Sequence, residues 1–409
     1  MSNLRHKNQL VERMCYVLGV LLLSGILGVI VSIIANYFVL VVKWFANLRT
    51  DSNDFFQFSG LSFSSILWLF TAVFILYFIR KACNIERWHG PADAVYASHR
   101  TDNELDLKRG VGSTFAALVS LSAGAPVGQY GPLVNFGASI ASFLSQITRV
   151  KMIPPDVLMS CGVAAAISAG FNAPIGGIIF AHEAVLRHFS LSALLPIAIA
   201  STVSAAFGTW AFGGAPLFSL NLDAPDLLPL LPSLVLSGFV FGIVALIYMR
   251  MIFMFAAMPA KSGIGYLPLA LIAALVTGAF GIFYPEVLGL GVDVIFSFIN
   301  NDLGVKLILV LLGLKILLTS LCIGFGVFGG VFSPALFIGA ATGQAMSNLL
   351  SQIYLFSPSA VLAVSGMAAV AACVVGAPLA VVMIILELTM SYDYAIAALI
   401  STMVAVMVT

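Results

Sequence analysis

The sequence predicts an all-α fold that crosses a membrane several times, built from two inverted-topology halves whose helices are broken inside the bilayer. Three observations predict it: 61% of the 409 residues are hydrophobic, only 9% are charged, and Gly and Pro interrupt the longest uncharged runs. A soluble domain carries roughly 25% charged residues, because its surface has to be solvated. We therefore expect an integral, multi-pass membrane protein with the lipid bilayer as its partner.

Composition excludes several other classes of protein. The formal net charge is +1, which offers no electrostatic basis for binding nucleic acid. The five cysteines are scattered singly, without a C-x-x-C pair or a histidine at metal-ligand spacing, so no metal site is expected. The sequence contains neither a G-x-S-x-G nor an H-E-x-x-H motif. We predict no enzymatic activity and no cofactor.

Uncharged runs mark the predicted helices in order. They cover residues 110–148, 157–182, 188–222, 227–249, 262–285 and 316–386. A spanning helix needs about 20 apolar residues, so each shorter run fits one crossing. The first residues contain Arg5, Lys7 and Arg13 and lead into an apolar stretch without a cleavage site, which predicts a first helix that is retained.

The two longest runs are too long for one crossing and contain breaks. Gly and Pro cluster at 123–132 in the first run, and at 324–330 and 376–378 in the second. Pro lacks a backbone donor and Gly tolerates unusual dihedral angles, so helices end there. Irregular backbone at membrane depth is tolerated only inside protein or beside water. These breaks are therefore expected to line a cavity.

The basic residues predict the orientation. Six Lys or Arg lie between Arg80 and Arg109, whereas the connection at 50–59 has acids and only Arg49 at its edge. Cytoplasmic loops of membrane proteins carry an excess of basic residues. The N-terminus and the 80–109 segment are therefore expected to be cytoplasmic.

A pattern repeats along the chain. The segment Pro132-Leu-Val-Asn-Phe-Gly-Ala recurs 202 positions later as Pro334-Ala-Leu-Phe-Ile-Gly-Ala, and Ala-Pro followed by Glu183 recurs 204 positions later with Glu387. Repeated halves with broken helices at corresponding places are typical of transporters that bind substrate between the halves. We predict a first half at 1–215, a linker at 216–231 and a second half at 232–409.

The broken segments favour an anion. Helix N-termini present unpaired N–H groups and about half a positive charge, and several that converge bind an anion without Lys or Arg. The central runs contain no carboxylate before Glu183 and Glu387, so a cation would lack the negative ligands that it needs. Neutral donors hold a halide weakly enough for it to leave.

Four motifs resemble those of the CLC chloride channel and transporter family. Gly128-Gln-Tyr-Gly-Pro132 is similar to the family's G-[KR]-E-G-P motif and Gly330-Val-Phe-Ser-Pro334 to its G-x-F-x-P motif; Phe171-Asn-Ala-Pro174 with Glu183 and the segment from Glu387 to Tyr392 match two others. The resemblance implies a CLC-like fold with voltage-gated chloride channel activity, and chloride or a similar monovalent anion as substrate. It also implies a homodimer with one pore per subunit, in a bacterial inner membrane, without cytoplasmic regulatory domains.

The resemblance assigns anion-binding residues by motif position. It places the central site at the N–H groups of Val331 and Phe332 and the hydroxyl of Tyr392, for which an interfacial aromatic is the alternative. The N–H groups around Gln129, Tyr130 and Gly131 would form the outer site and gate. The supporting motif residues are Gly128, Pro132, Gly330 and Pro334.

The sequence departs from the family at three positions. Tyr130 replaces the gating glutamate, and as a neutral phenol it is a steric block, a donor to the anion, or a packing aromatic turned away. Ala184 replaces a second glutamate that carries protons in coupled members. The inner-gate serine is absent from Arg87-Trp-His-Gly-Pro91, where either Trp88 or His89 takes its position.

Because both proton-handling glutamates are missing, we predict passive, channel-like or uniport anion flux that is not coupled to protons. The alternative is proton/chloride exchange by another proton path, through His182, Glu183 or His89. Glu183 and Glu387 are otherwise structural helix carboxylates, and His182 is otherwise a hydrogen-bonded helix residue.

Overall fold

The computed structural model describes residues 2–51, 57–58, 61–148, 152–213, 225–353 and 358–409. Within these residues the chain is helical apart from two short antiparallel strands, β1 (Gln57–Phe58) and β2 (Leu61–Ser62). The helices are α1 (Ser2–Asp51), α2 (Ser64–Ala82), α3 (Pro91–Ser98), α4 (Leu107–Ser122), α5 (Tyr130–Thr148), α6 (Pro155–Phe171), α7 (Pro174–Phe180), α8 (Leu191–Phe212), α9 (Leu227–Ser262), α10 (Tyr266–Phe283), α11 (Val292–Ile299), α12 (Val305–Gly324), α13 (Phe332–Gln352), α14 (Ser359–Val375), α15 (Pro378–Thr389) and α16 (Tyr392–Val408).

Six helices in the described part of the chain are long and apolar enough to span a bilayer, which confirms a multi-pass membrane protein. They are Met14–Asp51 of α1, and α2, α8, α9, α10 and α12. The shorter helices α6 and α14 are buried along nearly their whole length, α6 against α5 and α8, and α14 against α13 and α16. Helices that are apolar on every side are stable only when other helices surround them.

The Gly/Pro clusters interrupt the helices as the sequence predicts. The first break lies between α4, which ends at Ser122, and α5, which begins at Tyr130. The other two separate α12 from α13 and α14 from α15.

One expectation about helix boundaries is wrong. The run 157–182 is not one crossing, because α6 ends at Phe171, where Asn172 caps it in the left-handed conformation, and Pro174 starts α7, which continues into a π-helical segment, Ala181–Leu186. The linker 216–231 stays a prediction: α9 begins at Leu227, and residues 216–224 lie outside the described part of the chain.

Two glycine pairs mark close helix approaches, at positions that correspond in the sequence repeat. Gly137 of α5 faces Gly162 of α6, and Gly339 of α13 faces Gly366 of α14. A Cβ atom on any of the four would collide with the backbone carbonyl of its partner. Each helix pair is thus held at backbone contact, as small residues allow in membrane helix packing.

Candidate functional site

The starts of α5 and α13 meet at one point, because the loops before them are hydrogen-bonded to each other. Gly128 and Gly330 form an isolated antiparallel bridge, in which each N–H donates to the other's carbonyl oxygen at 2.6 Å. The two glycines are 202 positions apart, the spacing of the sequence repeat. The bridge therefore joins equivalent residues of the two broken segments.

A cavity of about 840 Å³ lies against these helix starts. Its wall includes Tyr130, Gly131 and Pro132 of α5, Phe332 of α13 with Gly330 and Val331 just before it, and Gly90 and Pro91 at the start of α3. Three helix N-termini thus border one cavity, and each contributes the partial positive charge of a helix start. Such an arrangement attracts an anion.

Among the described wall residues, the ionisable side chains are few. They are Glu183, Arg187 and His99, together with the phenols Tyr96 and Tyr130. Arg187 and His99 are exposed. Ala184 also lines the cavity. The rest of the wall is largely aliphatic and aromatic, so the helix starts face an apolar chamber with little to titrate.

Three aromatic rings pack together beside the helix starts. The Tyr130 ring is only 2% exposed; it stacks on Phe171 with ring centroids 3.6 Å apart and meets Phe332 edge-on at 5.9 Å. The Tyr130 hydroxyl donates a hydrogen bond to the Gly170 carbonyl at 3.2 Å. Tyr130 and Phe332 are themselves 202 positions apart.

Glu183 and Glu387 occupy equivalent positions in the sequence repeat, and each caps a helix in the other repeated segment. The carboxylate of Glu183 accepts the N–H groups of Leu379 (3.1 Å) and Ala380 (2.7 Å) at the start of α15. The carboxylate of Glu387 accepts those of Ile175 (2.9 Å) and Gly176 (2.8 Å) at the start of α7. Both oxygens of each acid are therefore engaged, by charge-assisted bonds at positive helix ends.

The predicted inner-gate residues do not enter the cavity. Trp88 lies behind its wall, where the indole N–H donates to the Gly326 carbonyl at 2.9 Å and the ring stacks on Phe328. His89 lines a separate cavity of about 550 Å³ among the charged side chains of the 87–109 segment. Burial lowers the pKa of His89 below its ordinary value, with Asp93 acting in the opposite direction. The backbone N–H of His89 donates to the Ser113 hydroxyl at 3.0 Å, and a contact of His89 with the anion stays a prediction.

Tyr392 does not line this cavity, and its place at the central anion site beside Val331 and Phe332 stays a prediction. It is the first residue of α16, its side chain is 72% exposed, and it is not part of the cavity wall. The motif match placed it from sequence order alone, whereas the turn before α16 directs this residue to the surface.

The other predicted residues are placed near the site without lining it. Gln129 is buried, and its carbonyl accepts the N–H of Leu133 in the first turn of α5. His182 is buried beside the cavity residue Glu183, but its ring stacks on Phe189 and its Nδ1 lies 3.3 Å from the His188 carbonyl oxygen. The structure thus brings together Tyr130, Gly131, Val331, Phe332 and Glu183 and leaves His182, Tyr392 and His89 aside.

Sequence reasoning missed three residues of this region. Phe171 was noted only as the start of a motif, and Gly170 not at all, yet both contact Tyr130. Lys315 is fully buried at the edge of an uncharged run, where its ammonium donates to the carbonyls of Val287 (2.9 Å) and Gly289 (2.8 Å). A lysine inside an apolar run was the available signal, because such a charge must find partners.

Comparisons with known proteins agree with this architecture. The family model described as voltage gated chloride channel matches residues 71–409. The H(+)/Cl(-) exchange transporter ClcA of Vibrio cholerae serotype O1 is 27% identical over 413 residues, which cover 95% of this chain and 86% of that protein.

Solved structures with a similar fold include two antiporters. A slow cyanobacterial Cl-/H+ antiporter superposes with a TM-score of 0.83 at 20% identity, covering 95% of this chain and 93% of the other. A CLC-type fluoride/proton antiporter superposes with a TM-score of 0.82 at 22% identity, covering 96% and 95%.

Proposed function

Because this chain belongs to the voltage gated chloride channel family, we propose that it carries chloride, or a similar monovalent anion, across a membrane by passive flux without proton coupling. One observation carries the uncoupled part of the proposal. Tyr130 and Ala184, which stand where the resemblance expects proton-handling glutamates, both line the cavity. Neither side chain exchanges protons near neutral pH, because a phenol ordinarily has a pKa of about 10 and alanine has no ionisable group.

The anion site in this proposal is built from backbone. Val331 and Phe332 at the start of α13 supply the central N–H groups, and Gln129, Tyr130 and Gly131 at the start of α5 supply the outer ones. The bridge between Gly128 and Gly330 supports both by fixing the distance between the two helix starts. Preorganised N–H groups stabilise the anion without a cation that would trap it.

The larger assembly is part of the same proposal. The two halves are related by inverted topology, which is supported by the reciprocal capping of Glu183 and Glu387 and by the glycine bridge. We also propose a homodimer with one pore per subunit, in a bacterial inner membrane with the N-terminus in the cytoplasm, on the basis of the family and of the basic 80–109 segment.

Proton-coupled exchange is the second candidate, and the relative named as an exchange transporter favours it. The path would run through Glu183, the acid on the described cavity wall. Its two oxygens are both occupied by the N–H groups of Leu379 and Ala380 at the start of α15. This geometry favours uncoupled flux.

Purified protein in liposomes separates the two candidates. An outward chloride gradient is imposed with no proton gradient, and external pH is followed as chloride leaves. Uncoupled transport predicts chloride efflux that requires a potassium ionophore to dissipate charge. It also predicts no proton movement across the membrane, and therefore no change in external pH that a protonophore would abolish. Protons driven uphill by the chloride gradient would establish exchange. Empty liposomes provide the baseline for leak.

A further inference from the structure

We propose that Gly170, Phe171 and Phe332 form a dock that holds the Tyr130 ring across the anion path, so that flux requires the ring to leave it. We call these three residues the tyrosine dock. The inference rests on the proposed function, since it concerns how anions pass the cavity. It assigns a positioning role to Gly170 and Phe171, which the sequence motifs do not indicate.

The dock holds the ring by contacts on several sides. Phe171 covers one face of Tyr130 at a centroid distance of 3.6 Å with an interplanar angle of 18°, and Phe332 meets it at 81°. Phe171 and Phe332 also contact each other, at 5.2 Å. The Gly170 carbonyl accepts the phenol hydrogen bond at 3.2 Å. The hydrogen bond gives the ring one defined seat.

Gly170 is the residue that makes the seat possible. It lies in the last turn of α6, and a Cβ there would be 2.6 Å from Cε1 and 2.8 Å from Cδ1 of Tyr130. The three atoms nearest to that position all belong to the Tyr130 side chain. A methyl group at residue 170 would therefore displace this ring before it disturbed anything else.

The docked ring lines one cavity and contacts residues that line another. Tyr130 lines the cavity at the helix starts, whereas Gly170 and Phe171 line a second cavity of about 210 Å³ between α1, α6 and α8. Tyr130 contacts both Gly170 and Phe171 and is almost fully enclosed. Stacked aromatic faces carry negative partial charge and repel a halide. The docked position is thus a closed one.

Four variants test the dock by chloride efflux from liposomes. Gly170→Ala is expected to raise flux at least threefold, because it destabilises the closed position. Tyr130→Ala should raise flux further, and adding Gly170→Ala to Tyr130→Ala should change nothing more. Gly313→Ala in α12 is the matched control, since a Cβ there meets no atom within 4 Å. It should leave flux unchanged.

Several results would overturn the dock. If Tyr130→Ala raises chloride flux but Gly170→Ala leaves it at or below the wild-type value, the dock is contradicted. An equal effect of Gly170→Ala with and without the Tyr130 ring would also contradict it, because the methyl group would then act elsewhere. Efflux is scored only for protein that elutes as the wild type does from size exclusion.

Tyr130→Phe tests the same seat without added volume. It removes the bond to Gly170 and keeps the ring, so flux should rise by about 2- to 10-fold, the factor that one neutral hydrogen bond provides. Unchanged flux in Tyr130→Phe would contradict the hydrogen-bonded seat. If Gly170→Ala does not fold, this variant tests the dock in its place. Proton movement measured in the same vesicles tests the proposed function separately. Absence of chloride flux in every variant would overturn both.

Discussion

Glu183 and Glu387 illustrate at the scale of single residues how acids are accommodated in an apolar chain. Each carboxylate accepts two N–H groups at the start of a helix that belongs to the opposite repeat segment. Removing one charge therefore weakens two bonds at once and leaves backbone donors without a strong acceptor. The two acids join α7 to α15, which also pack against each other.

Replacing Glu387 tests this role. Glu387→Gln places an amide N–H₂ against N–H groups, so we expect a loss of about 1–3 kcal/mol of stability, the cost of unsatisfied buried donors. Thermal unfolding in detergent, followed by tryptophan fluorescence, measures it. The exposed Glu104→Gln is the matched control and should melt with the wild type. An unchanged melting temperature for Glu387→Gln would contradict the capping role.

His89 predicts a pH dependence of stability. Burial lowers the pKa of His89 in the folded protein below the ordinary value of about 6.5. As the pH falls, the unfolded chain therefore takes up a proton at His89 at a higher pH than the folded protein does. Stability therefore falls as the pH falls through this window. The melting temperature of the wild type should drop more between about pH 7 and pH 5 than that of His89→Asn. Parallel curves for the two proteins would show that His89 does not contribute.

Single residues were predicted with uneven success. The starts of α5 and α13 followed from Gly and Pro, whose backbone chemistry acts locally, and the structure brings Tyr130, Val331 and Phe332 to one cavity. Tyr392 and Phe171 could not be placed in this way. The direction of a side chain depends on how distant helices pack, and no local pattern encodes that Phe171 stacks on Tyr130.

At the scale of elements, the breaks between helices were predictable and the number of crossings was not. Runs without charge contain both spanning helices and shorter buried ones, because burial in protein and in lipid demand the same apolar residues. The end of α6 could not be predicted because it depends on Asn172 in the left-handed conformation. Asparagine tolerates that conformation, but its presence in a sequence does not predict it.

The glycine contacts between helices give a prediction for the elements. Gly339→Ala would place a methyl group against the Gly366 carbonyl, so α13 and α14 would have to separate. We expect a loss of about 1–3 kcal/mol, typical of overpacking, and a lower melting temperature in detergent. Gly313→Ala, with open space around its Cβ, serves as control and should not lower it. Equal melting temperatures would contradict the close approach.

At the scale of the whole molecule, sparse charge has consequences for both location and mechanism. The chain is 9% charged, so its surface requires an apolar environment. The cavity wall described here includes one acid, Glu183, with both oxygens in hydrogen bonds. The multi-pass helical architecture was predictable from composition, since hydropathy alone identifies membrane segments. That the starts of α5 and α13 line one cavity could not be predicted from composition and is seen only in the fold.

The reversal potential of the chloride current tests the central claim most directly. Protein in a planar bilayer is held under a fixed chloride gradient while the pH of one side is changed by about two units. Uncoupled flux predicts a reversal potential that stays at the chloride equilibrium potential at every pH, because only chloride carries charge. A reversal potential that shifts in proportion to the pH gradient would contradict the account and establish proton-coupled exchange.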